Sequence, residues 1–192
     1  MNLPNRITFS RIIITFIFIP VLLMPGVVAK ISALLLFTIA AMTDLYDGWI
    51  AKKRNQITDF GKLMDPIADK ILVLAAFITF VELQLIDAWM VMIIILREVS
   101  ITGLRVFALT KGKTLAAERA GKHKTVSQMV AILMILGFII LKEYFKNINF
   151  WNEVGENFYK AAIYITMLVT VCLTLISGIS YLWKNRKLII RS

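Results

Sequence analysis

The sequence has few of the residues on which many protein sites depend. Its 192 residues include one cysteine, one histidine and four prolines, and 18% of them are charged. A single cysteine, Cys172, excludes a disulfide bond within the chain, and its apolar surroundings predict a role in helix packing rather than thiol chemistry. The single histidine, His123, follows a basic stretch, where we expect a solvated loop residue without a catalytic role.

Apolar residues, in contrast, are abundant. They make up 59% of the chain, and the mean hydropathy is +0.78. Such values lie outside the range of soluble globular domains and predict an integral membrane protein. Six apolar runs have the length that crosses a hydrocarbon core as a helix. They predict an all-α fold, one domain over residues 1–192, with transmembrane helices at residues 7–25, 30–52, 60–82, 87–110, 123–143 and 159–183.

The ends of these runs differ in charge, and the net charge is +10. Most lysines and arginines lie at the N-terminus, after spans two and four, and at the C-terminus, and such positive segments stay in the cytoplasm. Both termini are therefore predicted to be cytoplasmic, with Lys30, Lys142, Lys146 and Lys160 on the opposite side. Because the basic residues flank apolar spans instead of lining a soluble face, they argue against nucleic acid as a partner. Arg11 interrupts the first run and no cleavage-site pattern follows it, so we expect this run to be a retained helix rather than a signal peptide.

Residues 43–70 concentrate charge in this apolar chain. Asp44 and Asp47 are three residues apart and Asp65 and Asp69 are four apart, so each pair shares one face of a helix. Carboxylates gathered near a membrane are costly unless cations or protons neutralise them. Oxygen ligands without histidine or cysteine favour Mg²⁺ or Mn²⁺ over zinc. Beside a basic turn, they indicate two metal ions acting on a phosphate, which is the chemistry of phosphoryl or phosphatidyl transfer.

Small residues accompany these acids. Gly48, Ala51 and Gly61 leave space where a ligand or a neighbouring helix can approach. Helix packing explains each of them separately, whereas the four aligned acids favour ligand approach. Both explanations stay open at this point.

The combined pattern is D-x-x-D-G-x-x-A-K and, eight residues later, G-x-x-x-D-x-x-x-D, over residues 44–69. It resembles the signature of the CDP-alcohol phosphatidyltransferases. The resemblance implies a six-helix membrane enzyme, commonly a homodimer, in which two Mg²⁺ or Mn²⁺ ions bind the pyrophosphate of a CDP-linked donor. It further implies that Asp44, Asp47 and Asp65 are metal ligands, and that Asp69 is both a metal ligand and the general base.

The resemblance also implies donor-binding residues in the motif and near the N-terminus. They are Asn5, Thr8, Gly48, Ala51, Lys52, Thr58 and Gly61. The family usually has arginine where this sequence has Lys52, and a lysine offers a single point charge instead of a planar fork. The contact at Lys52 is therefore expected to be weaker or shared with neighbouring basic residues. For Asn5 and Thr8, helix capping is the alternative.

Three further stretches, NLPNRITFSR, REVSITGLR and GKHKT, extend the resemblance over nearly the whole length. They resemble bacterial members that transfer phosphatidyl from CDP-diacylglycerol to glycerol-3-phosphate in the plasma membrane, with the active site facing the cytoplasm. A dianionic acceptor phosphate needs several cations. The candidates are Arg105, Lys122 and Lys124, followed by Arg97 and Arg119. Pairing with Glu98 or a motif aspartate is the structural alternative for Arg97, and contact with anionic membrane lipids is the alternative for Arg119.

Two other functions remain open. The same chemistry can use another acceptor, such as a polyol phosphate, serine or phosphatidylglycerol. Acids within a membrane also occur in cation and proton transporters. A transporter needs polar groups through the whole bilayer depth, however, and the outer halves of these spans are almost wholly apolar.

Overall fold

The computed structural model describes the backbone of residues 3–54, 59–110, 120–146 and 153–190. Side chains are described for residues 9–43, 70–108, 110, 121, 123–146 and 155–186. Six α-helices and no strand occur in these backbone ranges. The helices are α1 (Leu3–Leu23), α2 (Val27–Arg54), α3 (Asp59–Glu82), α4 (Ala88–Thr110), α5 (Ala120–Phe145) and α6 (Glu153–Ile190). The all-α prediction is confirmed, and each helix contains or closely matches one predicted span.

Two of the predicted breaks are tight turns between antiparallel neighbours. At the first, between α1 and α2, Gly26 has φ +97°, a conformation that glycine adopts without steric cost. At the second, after α3, Gln84 has φ 55°. There the Leu85 N–H donates to the Phe80 carbonyl at 3.0 Å, a bond that closes the C-terminus of the helix.

The last helix is longer than predicted. It has 38 residues, which corresponds to about 57 Å at the rise of an α-helix. A hydrocarbon core is about 30 Å thick. Helix α6 therefore extends beyond the length needed to cross a membrane, which the apolar run at residues 159–183 did not indicate.

Aromatic and aliphatic side chains fill the centre of the bundle. Helix α1 packs against α2 and α3, α5 packs against α6 and α2, and α4 packs against α6 and α3. Phe18 of α1 and Phe37 of α2 are buried, with ring centroids 5.9 Å apart, and Phe77 and Phe80 of α3 are buried in the same core. The burial of Phe18 confirms that the N-terminal apolar run is a helix of the bundle.

The outer surface of the bundle exposes more apolar side chains than is usual for a protein in water. Large apolar side chains stand exposed on several helices, for example Phe16 at 69% and Val28 at 80%. Among the residues with described side chains, two helical stretches, His123–Phe145 and Gly155–Arg186, are long and apolar enough to cross a membrane, and residues 9–23 of α1 and 27–43 of α2 are shorter apolar stretches. Exposed apolar surface on this scale fits a lipid environment, so the chain is a membrane protein.

Two minor expectations need correction. Cys172 is exposed on the surface of α6, so within the single chain the expected packing role is wrong. His123 is exposed as expected, but it lies in the first turns of α5 and not in a loop.

Candidate active site at one end of the bundle

The motif aspartates lie in helical backbone, as their spacing predicts. Asp44 and Asp47 belong to α2, Asp65 and Asp69 belong to α3, and these two helices contact each other. Their side chains lie outside the described residues, as do those of Asn5, Thr8, Gly48, Ala51, Lys52 and Gly61, while Thr58 lies entirely outside them. The metal-binding, donor-binding and general-base roles of these residues therefore stay predictions. Among the described side chains no group of three or more potential ligands is found, and the expected ligands are not among those side chains.

One residue beyond Asp69, Lys70 joins a buried ionic cluster. At its centre is Glu98 of α4, which is 4% exposed. Its Oε2 accepts a hydrogen bond from Lys70 Nζ at 2.8 Å, and its Oε1 accepts from Arg97 Nη1 at 3.2 Å and from Lys124 Nζ. These four residues are termed the Glu98 cluster. They tie α3, α4 and α5 together through one carboxylate. The Arg97–Glu98 pair is the structural alternative that the sequence offered to acceptor binding by Arg97.

Helix α6 completes the surroundings of this cluster. Arg97 Nη2 donates a hydrogen bond to Ser177 Oγ at 2.9 Å. A Cβ atom on the next residue, Gly178, would lie 3.1 Å from Arg97 Cγ, which is tighter than ordinary van der Waals contact. Gly178 therefore lets the stem of Arg97 pass close to the backbone of α6, and Ser177 fixes the direction of its guanidinium group.

A small cavity of about 170 Å³ adjoins the cluster. Its walls include Lys70, Glu98, Lys124, Thr125 and Gln128, together with three apolar side chains of α3 and α5. Gln128 is 3% exposed, and its Nε2 has no hydrogen-bond partner within the described part of the chain. Hydrogen-bond donors thus dominate the polar wall. Because pockets for drug-sized ligands occupy roughly 300–1,000 Å³, this cavity suits a small anionic group such as a phosphate.

The candidate acceptor-binding residues lie in different surroundings. Lys124 and Arg97 belong to the cluster. Arg105 is exposed, about 12 Å along α4 from Arg97 at the helical rise, and its guanidinium carbon lies 5.4 Å from the ring centroid of Tyr181. The side chain of Lys122 and the whole of Arg119 lie outside the described residues.

Sequence reasoning did not select Lys70 and Gln128. Lys70 is the last charge before α3 becomes apolar, and it directly follows a motif aspartate. Gln128 lies four residues after Lys124, on the same helix face. The sequence therefore offered one signal for both residues: each lies close to a charged residue that was already a candidate site residue.

Comparisons with known proteins identify the family. The model of the CDP-alcohol phosphatidyltransferases matches residues 1–184. The chain belongs to this family. A Bacillus subtilis protein named CDP-diacylglycerol–glycerol-3-phosphate 3-phosphatidyltransferase is 38% identical, with 96% of this chain and 95% of the relative covered. Relatives with the same name in Rickettsia typhi (35% identical; 94% of each chain) and Escherichia coli K12 (37%; 70% of this chain and 76% of the relative) are also similar.

Family membership confirms the resemblance carried by residues 44–69, and with it the enzyme class. The chain is a membrane phosphatidyltransferase of phospholipid synthesis. The Glu98 cluster and its cavity lie beside the middle of α3, directly after the last residue of this motif, because Lys70 follows Asp69. The cationic cavity and the family motif are therefore adjacent along α3.

Proposed function

We propose that the chain transfers the phosphatidyl group of CDP-diacylglycerol to glycerol-3-phosphate, which gives phosphatidylglycerophosphate and CMP. The family supports the CDP-linked donor, and the names of the three relatives support both substrates. The structural observation that supports the acceptor is the donor-lined cavity beside the Glu98 cluster. A neutral acceptor such as serine would have less use for such a wall.

The acceptor phosphate is expected to enter this cavity. Lys70 and Lys124 each donate one ammonium N–H to Glu98. An ammonium group carries three such donors in total. The other N–H groups of Lys124, with the Gln128 amide, can donate to phosphate oxygens, and Lys70 adds its positive charge to the cavity wall. Hydrogen bonds between ionised groups are about twice as strong as neutral ones. Glu98 then positions the two lysines rather than contacting the acceptor itself.

The motif residues supply the rest of the proposed site. Asp44, Asp47, Asp65 and Asp69 would hold two Mg²⁺ or Mn²⁺ ions, since their oxygen ligands and helical spacing suit these hard cations. Such ions, when bound, neutralise the pyrophosphate and stabilise the leaving oxygen. Asp69 accepts the proton of the glycerol-3-phosphate 1-hydroxyl, and that oxygen attacks the phosphorus bonded to diacylglycerol as the bond to CMP breaks.

The donor and the acceptor would reach this centre from different directions. CDP-diacylglycerol keeps its acyl chains in the bilayer and is held by the residues predicted from the motif and the N-terminus. They are Asn5, Thr8, Gly48, Ala51, Lys52, Thr58 and Gly61. Lys70, one residue after Asp69 on α3, ties the base-bearing turn to Glu98 and so to the acceptor cavity.

We further propose six transmembrane helices in a bacterial plasma membrane, a homodimer, and both termini and the active site on the cytoplasmic side. The distribution of charge supports this orientation. Lys124 and Lys142 are 18 residues apart on α5, about 27 Å at the helical rise, which is close to the thickness of a hydrocarbon core. At the far end, Lys142 and Lys160 both pair with Glu156, and all three belong to the side that the charge distribution assigns fewer basic residues.

Acceptor use is the direct test of the proposed function. Purified protein in detergent receives CDP-diacylglycerol, Mg²⁺ and one acceptor at a time, and CMP release is measured. We expect release with glycerol-3-phosphate and background levels with serine, with inositol phosphate as a polyol phosphate, and with phosphatidylglycerol. Faster release with any of these three would assign a different acceptor. Absence of CMP with every acceptor would contradict the proposal.

A further inference from the structure

A second cationic cavity lies at the opposite end of the bundle. Its volume is about 400 Å³, and it opens between the turn after α3, the start of α2 and the end of α5. Lys30, Lys142, Glu143 and Lys146 supply its charged groups, so three lysines face one carboxylate. The remaining wall is apolar and consists of Leu83, Leu85, Phe138, Ile139 and Phe145.

Two of the charged groups are used by the fold. Lys30 is buried, and its Nζ donates to the Leu22 carbonyl at the C-terminus of α1 at 2.6 Å. Glu143 Oε1 accepts the Gly26 N–H at 3.0 Å. Together they fasten the turn between α1 and α2 to the cavity rim. Lys30 nevertheless adds its positive charge to the wall.

The other two lysines are available at the cavity mouth. Lys142 is about half exposed and contacts Glu156 at 2.9 Å. Lys146 directly follows the last residue of α5 and is exposed, and among the described side chains it forms no ion pair. Lys142 and Lys146 both line the cavity, so both ammonium groups reach the same opening.

The position of this cavity separates it from the active site. Lys124 of the Glu98 cluster and Lys142 at the rim of this cavity are 18 residues apart on α5, about 27 Å at the helical rise. That distance is close to the thickness of a bilayer core. A ligand of this cavity therefore comes from the other membrane surface and does not take part in the transfer reaction.

We propose that this cavity binds the phosphate of an anionic phospholipid from the leaflet opposite the active site. The cationic rim fits the phosphate diester, and the apolar wall fits the first part of an acyl chain. Basic pockets between membrane helices recognise lipid headgroups in this way. A zwitterionic lipid gains less, because its own cation meets the lysines. A free phosphate gains nothing from the apolar wall.

Photolabelling in nanodiscs tests this proposal. The probes are phosphatidylglycerol and phosphatidylcholine with the same photoactivatable acyl chain, each at a few per cent of a neutral background lipid. We expect phosphatidylglycerol to label peptides around residues 138–146 several times more than phosphatidylcholine. The double variant Lys142→Gln/Lys146→Gln is expected to reduce this labelling by an order of magnitude or more, at about fivefold per lysine.

The matched control is Lys160→Gln. It removes the same charge at the same end of the bundle and also contacts Glu156, but it does not line this cavity. Labelling in this variant should equal that of the wild type. A thermal unfolding scan without anionic lipid shows whether the double variant is folded, and the single variant Lys146→Gln replaces it if it is not.

Three results would overturn the proposal. Equal labelling by the two lipids would show that the apolar wall alone determines binding. Unchanged labelling in the folded lysine variant would remove the lysines from the site. Displacement of the lipid probe by an equal concentration of soluble glycerol phosphate would identify a small-anion site instead of a lipid site. Each outcome is independent of catalysis, because no measurement uses CMP release.

Discussion

Replacing Glu98 with glutamine removes the one carboxylate that Lys70, Arg97 and Lys124 share. The side chain keeps its size and one acceptor oxygen, but the second oxygen becomes an N–H₂ group that faces cations. Glu98 is 4% exposed, so water cannot replace the lost charge. Removing one partner of a buried ion pair typically costs about 3–5 kcal/mol. Since glutamine keeps one acceptor, we expect about 3 kcal/mol of destabilisation for Glu98→Gln.

The kinetic effect should be specific to one substrate. Without the carboxylate, the Lys70 and Lys124 ammonium groups lose the contacts that hold them at the cavity. We expect the KM for glycerol-3-phosphate to rise about tenfold or more, which corresponds to about 1.4 kcal/mol of lost binding. The KM for CDP-diacylglycerol should stay within about twofold, because none of the predicted donor residues belongs to the Glu98 cluster.

Two measurements separate these effects. SDS titration of the protein in mixed micelles gives the change in stability, and steady-state CMP release gives both KM values. Glu82→Gln is the control, since it makes the same change at an exposed residue near the far end of α3. Glu98→Asp keeps the charge and should recover part of both losses. Wild-type stability in Glu98→Gln, or equal increases in both KM values, would refute the assigned role of Glu98.

The remaining predictions concern single contacts. Gly178→Ala should lower stability by about 1 kcal/mol and raise the KM for glycerol-3-phosphate, because the new methyl group meets Arg97 Cγ at 3.1 Å. The control is Gly137→Ala, whose Cβ meets nothing within 4 Å. This variant should be neutral or stabilising in the same titration. Lys124→Gln should raise that KM at least tenfold with a smaller effect on kcat, and an unchanged KM would remove Lys124 from the acceptor site. Asp69→Asn should abolish CMP release while the unfolding midpoint stays near that of the wild type; near-normal turnover would contradict the general-base role. Chelation of divalent cations should stop CMP release, and Mg²⁺ or Mn²⁺ should restore it; activity that survives chelation would contradict metal dependence.

The helices were predictable from the sequence because the bilayer imposes their length. Apolar runs near 20 residues and the breaks at Gly26 and Gln84 located all six of them. Helix α6 was the exception. Its ends are polar, and a hydropathy pattern does not distinguish a polar helical extension from a loop.

The candidate site was predictable in part. Four aspartates at helical spacing and the family pattern indicated the metal-binding chemistry, and the arginine beside Glu98 offered their pairing as an alternative to acceptor binding. The convergence of Lys70, Lys124 and Arg97 on Glu98 was not predictable, because it depends on how α3, α4 and α5 pack. The contact of Arg105 with the ring of Tyr181 also depends on packing, here that of α6. Acceptor binding by Arg105 stays a prediction.

The most direct test of the proposed reaction follows both substrates into one product. Purified protein receives CDP-diacylglycerol labelled with one isotope in the phosphate attached to diacylglycerol, and glycerol-3-phosphate labelled with another in its own phosphate. The account predicts one lipid product that carries both labels in equal amounts, with one CMP released per lipid. CMP release accompanied by singly labelled phosphatidate would show hydrolysis instead of transfer and would contradict the account.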